Sequence, residues 1–395
     1  MYIKESLVNE MQLCEAKDCT GCFSCMNICP KSAISVECDK LGKTIPQINS
    51  ELCVECGLCR KSCPMLNEST YRKPQKCFAA WTTDKNDRVN CASGGIATAL
   101  SRVIIRNGGK VFGAAWTEDL NLHMDVAENE IGLEKFKGSK YVQSFVGDSY
   151  VKVKKQLNNG EKILYIGSPC QIDGLLHFLE KKYDNLYTVD FICHGVPPIK
   201  YLIEYINTIL HNKHITDIKF RDENGFQLTA FDNNICIYKS RAYDDLYFET
   251  FLKGVTYRDN CYSCKYARPE RVSDLTIGDF WGLDKNSLNQ NYDGKISTIL
   301  VNTEKGRLLL EECQVEIYKE ERPLEEALRG NGQLNHPSGV HPDRVGFMKH
   351  YKDDFYSAIG KTSIGKRIRK DKRVNRVKSC VLYKTIKKIV KRRNK

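Results

Sequence analysis

Two copies of one cysteine motif near the N-terminus constrain this chain more than any other feature. Each copy reads C-x2-C-x2-C-x3-C-P, with Cys19, Cys22, Cys25 and Cys29 in the first and Cys53, Cys56, Cys59 and Cys63 in the second. Four thiolates around an inorganic core are typical of iron–sulfur clusters, and the fourth cysteine, beside a proline, ligates the other cluster. We therefore predict one [4Fe–4S] cluster on Cys19, Cys22, Cys25 and Cys63, and another on Cys29, Cys53, Cys56 and Cys59.

Zinc and disulfide bonds are the alternatives for this cysteine pattern. Zinc sites use pairs of ligands, and disulfides need an oxidising compartment, so we favour clusters. The stretch resembles bacterial-type ferredoxins over about residues 10–68. That resemblance implies a short strand pair around a helix in each half, and the alternating residues 33–36 and 44–48 fit such strands.

Length and charge limit the remaining possibilities. The 395 residues suffice for two or three domains, and without 18 consecutive apolar residues we expect no transmembrane helix. The start lacks the apolar run of a secretory signal, so we expect a cytoplasmic protein whose 19 cysteines are metal ligands or free thiols. Residues 361–395 hold 16 of the 61 basic residues and one acid, which leaves 45 basic and 48 acidic residues elsewhere. The net charge of +12 therefore belongs to the tail.

A glycine turn opens the body of the chain. Ser93, Gly94 and Gly95 precede a helical apolar pattern that starts at Ile96. Glycines at a helix N-terminus allow an anion to approach the backbone amides. An ordinary helix cap with a flexible approach is the alternative, and spacing alone does not decide between the two.

A strand–helix–strand unit follows near residue 160. Apolar strands at 162–167 and 186–192 flank a helix at 171–182, so the strands should be parallel. Cys170 and Cys193 each follow a strand's carboxyl end, the edge where open α/β sheets bind ligands. With the C-x2-C pair Cys261 and Cys264 they could hold a third cluster; a zinc site and unrelated thiols stay open as alternatives. We interpret the remaining cysteines and the histidines of this unit, His177 and His194, as structural.

Several strings occur in the order typical of one family. They are ASGG at 92–95, GSKYVQS at 138–144, GSPCQI at 167–172, CHGVP at 193–197, the C-x2-C pair at 261–264 and GDFWG at 278–282. Together they resemble the coenzyme F420 hydrogenase/dehydrogenase β-subunit family over roughly residues 10–350. The resemblance implies FAD, [4Fe–4S] clusters and, in the better-known members, hydride exchange with F420. A related branch reduces a hydroxymethyl group on a chlorophyll, and some bacterial relatives are encoded with polysaccharide-synthesis enzymes.

The same resemblance implies roles for individual residues. Ser93, Gly94 and Gly95 would cradle part of the FAD, and the third cluster would sit on Cys170, Cys193, Cys261 and Cys264. Lys140, Tyr141, Gln143 and Ser144 would lie along the flavin or its phosphates. No motif for binding F420 itself is matched in this chain.

The predicted function is electron transfer linked to a hydride reaction. Electrons would pass between a ferredoxin-type partner, or a partner subunit, and the clusters, then to FAD and an organic hydride acceptor, in either direction. The alternatives are a non-catalytic electron-transfer subunit of a larger redox complex and a reductase of a polysaccharide-pathway intermediate.

The basic tail is predicted to form an amphipathic helix. Its apolar positions follow one stripe: Val374, Val377, Val381, Ile386, Ile389 and Val390. Such a helix is typical of a surface that meets anionic lipid, which would hold the protein at the inner membrane face. Nucleic acid is not an expected partner, since Tyr383 is the tail's one aromatic residue. A solvated end and docking to a partner or to the body are the alternatives.

The predicted fold class is α+β. A ferredoxin-like two-cluster module (1–68) precedes an α/β flavin- and iron–sulfur-binding body in two parts (75–155 and 156–345), and a basic helical C-terminal tail follows (361–395).

Overall fold

The computed structural model describes residues 13–222, 225–352 and 354–379. Its strands are β1 Ile34–Cys38, β2 Thr44–Ile48, β3 Lys76–Thr82, β4 Lys110–Trp116, β5 Leu122–Ala127, β6 Ile163–Gly167, β7 Leu186–Phe191, β8 Asp217–Asp222, β9 Gly225–Asp232, β10 Ile235–Arg241, β11 Leu275–Asp279, β12 Ser297–Val301 and β13 Ile317–Arg322. Its helices are α1 Ser24–Ile28, α2 Leu58–Lys61, α3 Lys85–Asn90, α4 Ile96–Arg106, α5 Ser149–Asn158, α6 Pro169–Leu179, α7 Ile199–Leu210, α8 Leu246–Leu252, α9 Glu304–Glu312, α10 Leu324–Gly330, α11 Asp343–His350, α12 Phe355–Gly360 and α13 Ser363–Ser379.

An eight-stranded mixed sheet forms the centre of the protein. Its strand order is β13-β3-β12-β11-β7-β6-β4-β5, and the four strands β11, β7, β6 and β4 run parallel. The outer strands β5, β12, β3 and β13 pair antiparallel. Strands β6 and β7 are parallel neighbours joined by α6, as the sequence predicted. Strands on both sides of residue 155 thus belong to one sheet.

Helices cover both faces of this sheet. Consecutive strand side chains point to opposite faces, and Leu164 accordingly packs in one core and Tyr165 in another. The first core includes Leu100 and Ile104 of α4, and the second includes Leu175 of α6. Because both faces are buried, β6 is apolar along its length instead of alternating.

A second, smaller sheet has its own core. It has the strand order β10-β9-β8, and α7, α8, α11, α12 and the start of α13 pack with it. Aromatic rings fill this core, among them Tyr205, Phe220, Phe248, Phe347 and Phe355. This unit supplies side chains to the cavity described below, so it bears directly on the site.

The N-terminal module packs tightly on the body. Strands β1 and β2 pair antiparallel with Ile34 opposite Ile48, close to the strands predicted from the sequence. The Asn27 side chain of α1 donates a hydrogen bond to the Gly147 carbonyl, with 2.8 Å between nitrogen and oxygen. On the other side, Lys43 pairs with Asp259 of the body. These contacts hold the N-terminal module against the body of the chain.

The beginning of the basic tail is part of the core. Ile364 and Ile368 of α13 are buried in the core of the smaller sheet, and Arg367 pairs with Glu249 at 2.8 Å. The expected boundary at residue 361 therefore does not separate the tail from the body. Of the predicted apolar stripe, Val381, Ile386, Ile389 and Val390 lie outside the described residues. No helix in the described part of the chain is long and apolar enough to span a membrane.

Candidate functional site

The first cysteine group, Cys19, Cys22, Cys25 and Cys63, is buried where the N-terminal module meets the body. Burial, together with the charges of Cys19 and Cys63, raises the pKa of the Cys22 thiol to about 12. Burial and the charges of the same cysteines also raise the pKa of Cys25. Because such effects act between neighbouring charges, Cys63 of the second motif lies beside the three leading cysteines of the first.

The second cysteine group is Cys29, Cys53, Cys56 and Cys59. All four side chains line one cavity of about 200 Å³. Cys56 is exposed, whereas every member of the first group is buried. The structure therefore sorts the eight motif cysteines into the two sets of four that the sequence predicted as ligand sets.

The backbone repeats its conformation between the two motifs. Gly21 and Glu55 occupy equivalent positions and have φ angles of 67° and 53°; Phe23 and Gly57, also equivalent, have 51° and 72°. Glu55 and Phe23 adopt this left-handed conformation although their side chains disfavour it. The repeated conformation curls each C-x2-C-x2-C segment in the same way, so that its three thiols can face one centre.

The third cysteine group, Cys170, Cys193, Cys261 and Cys264, also comes together. Cys170 lies in the first turn of α6 after β6, and Cys193 follows β7, so both sit at the carboxyl rim of the sheet. Burial raises the pKa of Cys193 to about 12, and the charges of Cys261 and Cys264 add to this effect. Burial likewise raises the pKa of Cys170, with contributions from the other three cysteines.

The zinc alternative requires ligands that converge on one ion at about 2.3 Å from each sulfur. Among the described residues, no three His, Cys, Asp or Glu side chains form a group that could hold one metal ion. The third cluster itself stays a prediction.

A cavity of about 370 Å³ opens at the same rim of the sheet. Six of the seven residues predicted to contact FAD line it, together with Cys170 and Cys193: Ser93, Gly95, Lys140, Tyr141, Gln143 and Ser144. Gly94 does not line it. Its amide donates to Ser297 Oγ at 2.8 Å, and a Cβ at this position would lie 2.4 Å from the Ala80 carbonyl oxygen. Gly94 therefore allows the turn to pack against β3 and β12.

Lys140 places a half-buried positive charge in the cavity wall. Its ammonium group donates to three backbone carbonyls, those of Phe136, Lys137 and Gly138, at 3.1 to 3.3 Å. Burial lowers the pKa of Lys140 to about 8. No carboxylate within the described ranges forms a salt bridge with it, although the charge of Asp217 partly offsets the effect of burial on its pKa.

Arg221 of β8 connects three parts of the cavity wall that are distant in sequence. It pairs with both carboxylate oxygens of Asp279 at 3.0 and 2.6 Å, donates to the Tyr141 hydroxyl at 2.7 Å and to the Ala92 carbonyl at 2.7 Å. The Phe226 ring lies 4.1 Å from its guanidinium carbon, and half-exposed Trp281 stacks on Phe226 at the cavity wall. Sequence reasoning missed Arg221 and Phe226 because neither belongs to a recognisable motif.

Two further residues beside the first cysteine group escaped sequence reasoning. Cys14, interpreted above as one of the structural cysteines, lies beside Cys19 and Cys63, and their proximity raises its pKa. Buried Arg258 donates to the Cys19 carbonyl at 3.0 Å and to Gln143 Oε1 at 2.7 Å. His194 lines the large cavity. Its ring makes no hydrogen bond to another residue of the described chain, and its structural role stays a prediction.

Comparison with known families identifies two regions of the chain. Residues 160–327 match the family described as the C terminus of the coenzyme F420 hydrogenase/dehydrogenase beta subunit, and residues 18–66 match the 4Fe–4S dicluster domain. One match covers the ferredoxin-like module, and the other covers less than half of the chain. The resemblance found in the sequence is thereby confirmed, and the dicluster match supports iron–sulfur clusters in the ferredoxin-like module.

Two individual proteins resemble the chain at low sequence identity. The chain is 26% identical over 316 residues to the coenzyme F420-dependent sulfite reductase of Methanocaldococcus jannaschii, a match that covers 73% of this chain and 44% of that protein. It therefore spans less than half of that relative's length. A chain of the xenon-derivatised F420-reducing [NiFe] hydrogenase complex from Methanosarcina barkeri aligns with a TM-score of 0.46 and 17% identity, covering 66% of this chain and 85% of that one.

Proposed function

We propose that this protein is a flavin-dependent iron–sulfur oxidoreductase that transfers electrons between a ferredoxin-type partner and an organic hydride acceptor. The observation that carries the proposal is the shared cavity: the residues expected to contact FAD line the same space as Cys170 and Cys193. A cofactor in that space would lie against the third cysteine group. FAD there would supply the conversion between one-electron and two-electron transfer.

The cavity suits a cofactor of this kind. Its volume of about 370 Å³ falls within the usual range for ligand pockets, and its wall combines apolar side chains with a few polar groups. The half-buried charge of Lys140 would attract a phosphate group. Arg221 would keep Tyr141 and the turn at Ala92 in place, because its hydrogen bonds hold both against Asp279.

The cysteine groups would form the electron route. The exposed Cys56 of the second group suits exchange with a protein partner, and the buried first group lies against α6. A Cβ on Gly174 of α6 would lie 2.8 Å from Cys22 Cβ, so this helix touches the first group, and its own first turn carries Cys170 of the third. We infer the order second, first and third group from surface to cavity.

A second candidate function is that of an electron-transfer part of a larger system. The chain matches only 44% of the sulfite reductase's length, so the remainder of that relative has no counterpart in the match. In this case a partner subunit would hold the substrate. F420 is a candidate acceptor under the first proposal, and sulfite chemistry would belong to the partner under the second.

Anaerobic purification with iron, sulfide and flavin quantified tests the proposal. Three [4Fe–4S] clusters require about twelve irons per chain, with one flavin. The double variant Cys261→Ser/Cys264→Ser should lose about four irons and keep about eight. Loss of zinc in place of iron would contradict the third cluster.

The acceptor is tested on the same preparations. The reduced protein is mixed with F420, NAD(P)+ or a viologen in the absence of any partner. Hydride transfer to F420 or NAD(P)+ would support the enzyme, whereas reduction of the viologen alone would favour the electron-transfer role. Absence of flavin from the purified protein would exclude the flavoenzyme.

A further inference from the structure

Arg258 is a buried cation without an anionic partner among the described residues. Its side chain is 1% exposed, and all five of its hydrogen-bond acceptors are neutral oxygens, Thr44 Oγ1 at 3.4 Å among them. The other acceptors are the Cys19 carbonyl at 3.0 Å, the Thr44 carbonyl at 3.1 Å, Gln143 Oε1 at 2.7 Å and Asn260 Oδ1 at 3.4 Å. No carboxylate of the described chain forms a salt bridge with it.

The other two fully buried arginines of the described chain differ in this respect. Arg271, 2% exposed, pairs with Asp190 at 3.1 Å, and Arg344, 8% exposed, pairs with Asp259. A guanidinium group stays protonated in proteins, and a buried charge without a counter-charge is costly. Because Arg258 has no carboxylate partner in the described chain, we expect its counter-charge to come from a group that is not part of the polypeptide.

The position of Arg258 identifies that anion. Its guanidinium group contacts the backbone of Cys19, a member of the first cysteine group, and a Cβ on Gly21 would lie 3.5 Å from its Cζ atom. A [4Fe–4S] core with four thiolate ligands carries a net negative charge in both of its usual oxidation states. Such a cluster on the first cysteine group would supply the missing negative charge.

We propose that Arg258 is the counter-ion of the first cluster and raises its reduction potential. The inference rests on the proposed function, because it requires a cluster on the first cysteine group. When the cluster accepts one electron, no atom is transferred and its negative charge increases by one. A fixed positive charge nearby stabilises this reduced form more than the oxidised form, which favours reduction.

Arg258 also touches the next step of the electron route. Its carbonyl accepts a hydrogen bond from the Cys261 amide at 3.1 Å, and its side chain binds Gln143, which lines the large cavity. The first cysteine group, the third cysteine group and the cavity therefore meet at this one residue. By stabilising an electron on the first cluster, its charge adjusts the driving force toward the third.

Redox titration followed by electron paramagnetic resonance tests the inference. The anaerobically purified protein carries Cys261→Ser/Cys264→Ser as background, so that signals of the third cluster do not overlap. Arg258→Gln should shift the potential of the first cluster to a more negative value, and Arg258→Lys, which keeps the charge, should shift it less. The second cluster, which Arg258 does not contact, serves as the internal reference.

Arg344→Gln is the matched control, because it removes a buried arginine that has its own carboxylate. It should leave the potential of the first cluster unchanged. An unchanged potential in Arg258→Gln would overturn the proposal, as would equal shifts in Arg258→Gln and Arg344→Gln. If the parent protein, with Arg258 in place, contains fewer than about eight irons per chain, the proposed function itself is wrong.

A second variant keeps the test decisive if Arg258→Gln does not assemble its clusters. Gln143→Glu retains the shape of the side chain and places a carboxylate at the oxygen that accepts from Arg258 at 2.7 Å. The guanidinium group would then have a protein counter-ion, and the potential of the first cluster should fall although Arg258 is present. No shift in this variant would contradict the proposed role.

Discussion

Lys140 shows how one residue can adapt the cavity to an anionic cofactor. All three donors of its ammonium group are used by backbone carbonyls, so the side chain is fixed in place before any ligand arrives. What remains unsatisfied is its charge, since burial lowers its pKa to about 8. A phosphate would interact with this residue through charge and not through new hydrogen bonds.

We expect flavin binding to depend on pH through Lys140. Below about pH 8 the side chain is charged and attracts phosphate; above it the charge is lost. The affinity of the flavin-depleted protein for FAD should therefore fall several-fold as the pH rises from 7 to 9, as measured by fluorescence titration. Lys140→Met should bind FAD more weakly at pH 7 and lose this dependence on pH.

Lys154 provides a comparison, because it is a lysine outside the cavity lining whose ammonium group lies over the Phe178 ring. Lys154→Met should leave the pH dependence of FAD binding intact. An identical pH profile in the parent protein and Lys140→Met would show that Lys140 does not act on the cofactor.

At the scale of elements, α6 is the structural link between the first and third cysteine groups. Cys170 lies in its first turn, and Gly174, four residues later on the same face, lies against Cys22. A side chain at position 174 would separate the helix from the first group. The close approach of the two groups therefore depends on a single glycine.

Gly174→Ala should destabilise the protein although alanine is the better helix former. In an exposed helix this substitution stabilises by about 1 kcal/mol. Here the new Cβ would lie 2.8 Å from Cys22 Cβ and 3.0 Å from its sulfur. Because this overpacking costs about 1–3 kcal/mol, the substitution should lower the free energy of unfolding. Denaturant unfolding measures the stability, and the rate of iron release to a chelator reports on the first group.

Gly346 of α11 is the matched control for this substitution. It is also a helical glycine, but a Cβ there would meet no atom within 4 Å. Gly346→Ala should stabilise the protein by about 0.5–1 kcal/mol and leave iron release unchanged. A stabilising effect of both substitutions would show that α6 does not pack closely on Cys22.

At the scale of the whole molecule, the C-terminal helix α13 begins in a core and continues as an exposed basic segment. The sequence alone predicted one basic tail for both parts. The first turns of α13 place Ile364 and Ile368 in a core, whereas Val374 further along is exposed. The basic residues continue through 380–395, which hold seven of the tail's 16. The structural part and the charged part of the tail can therefore be tested by two different truncations.

Removal of residues 363–395 should destabilise the protein, whereas removal of 380–395 should not remove any described core contact. Burial of two isoleucines corresponds to about 3–6 kcal/mol, and the longer truncation also loses the pair of Arg367 with Glu249. Thermal unfolding of the two truncated proteins measures the difference. Equal melting temperatures would show that α13 does not contribute to the core.

The shorter truncation also tests the proposed membrane contact. If the tail docks on anionic lipid, the full chain should sediment with phosphatidylserine-containing vesicles at low salt, and loss of seven cations should weaken this binding. Added salt should have the same effect because it screens surface charges. If the full chain ignores such vesicles at low salt, the lipid interpretation fails.

The sequence by itself determined the features that depend on local spacing. The three leading cysteines of each motif had to lie together, because intervals of two residues are too short for the chain to separate them. The apolar strands around α6 required a parallel pair, which brought Cys170 and Cys193 to one rim. The glycine turn at 93–95 led to the cavity in the same way, since a turn before a helix is a local structure.

Only the tertiary structure decided which distant residues complete these sites. Arg221 comes from the smaller sheet to Asp279 of the central sheet, and Arg258 comes to Cys19 across more than two hundred residues. Neither arginine belongs to a sequence motif. The role of each arginine depends on how deeply it is buried and on whether a carboxylate lies nearby. Burial and the distance to a carboxylate are set by packing between distant segments, so the order of residues along the chain does not predict them.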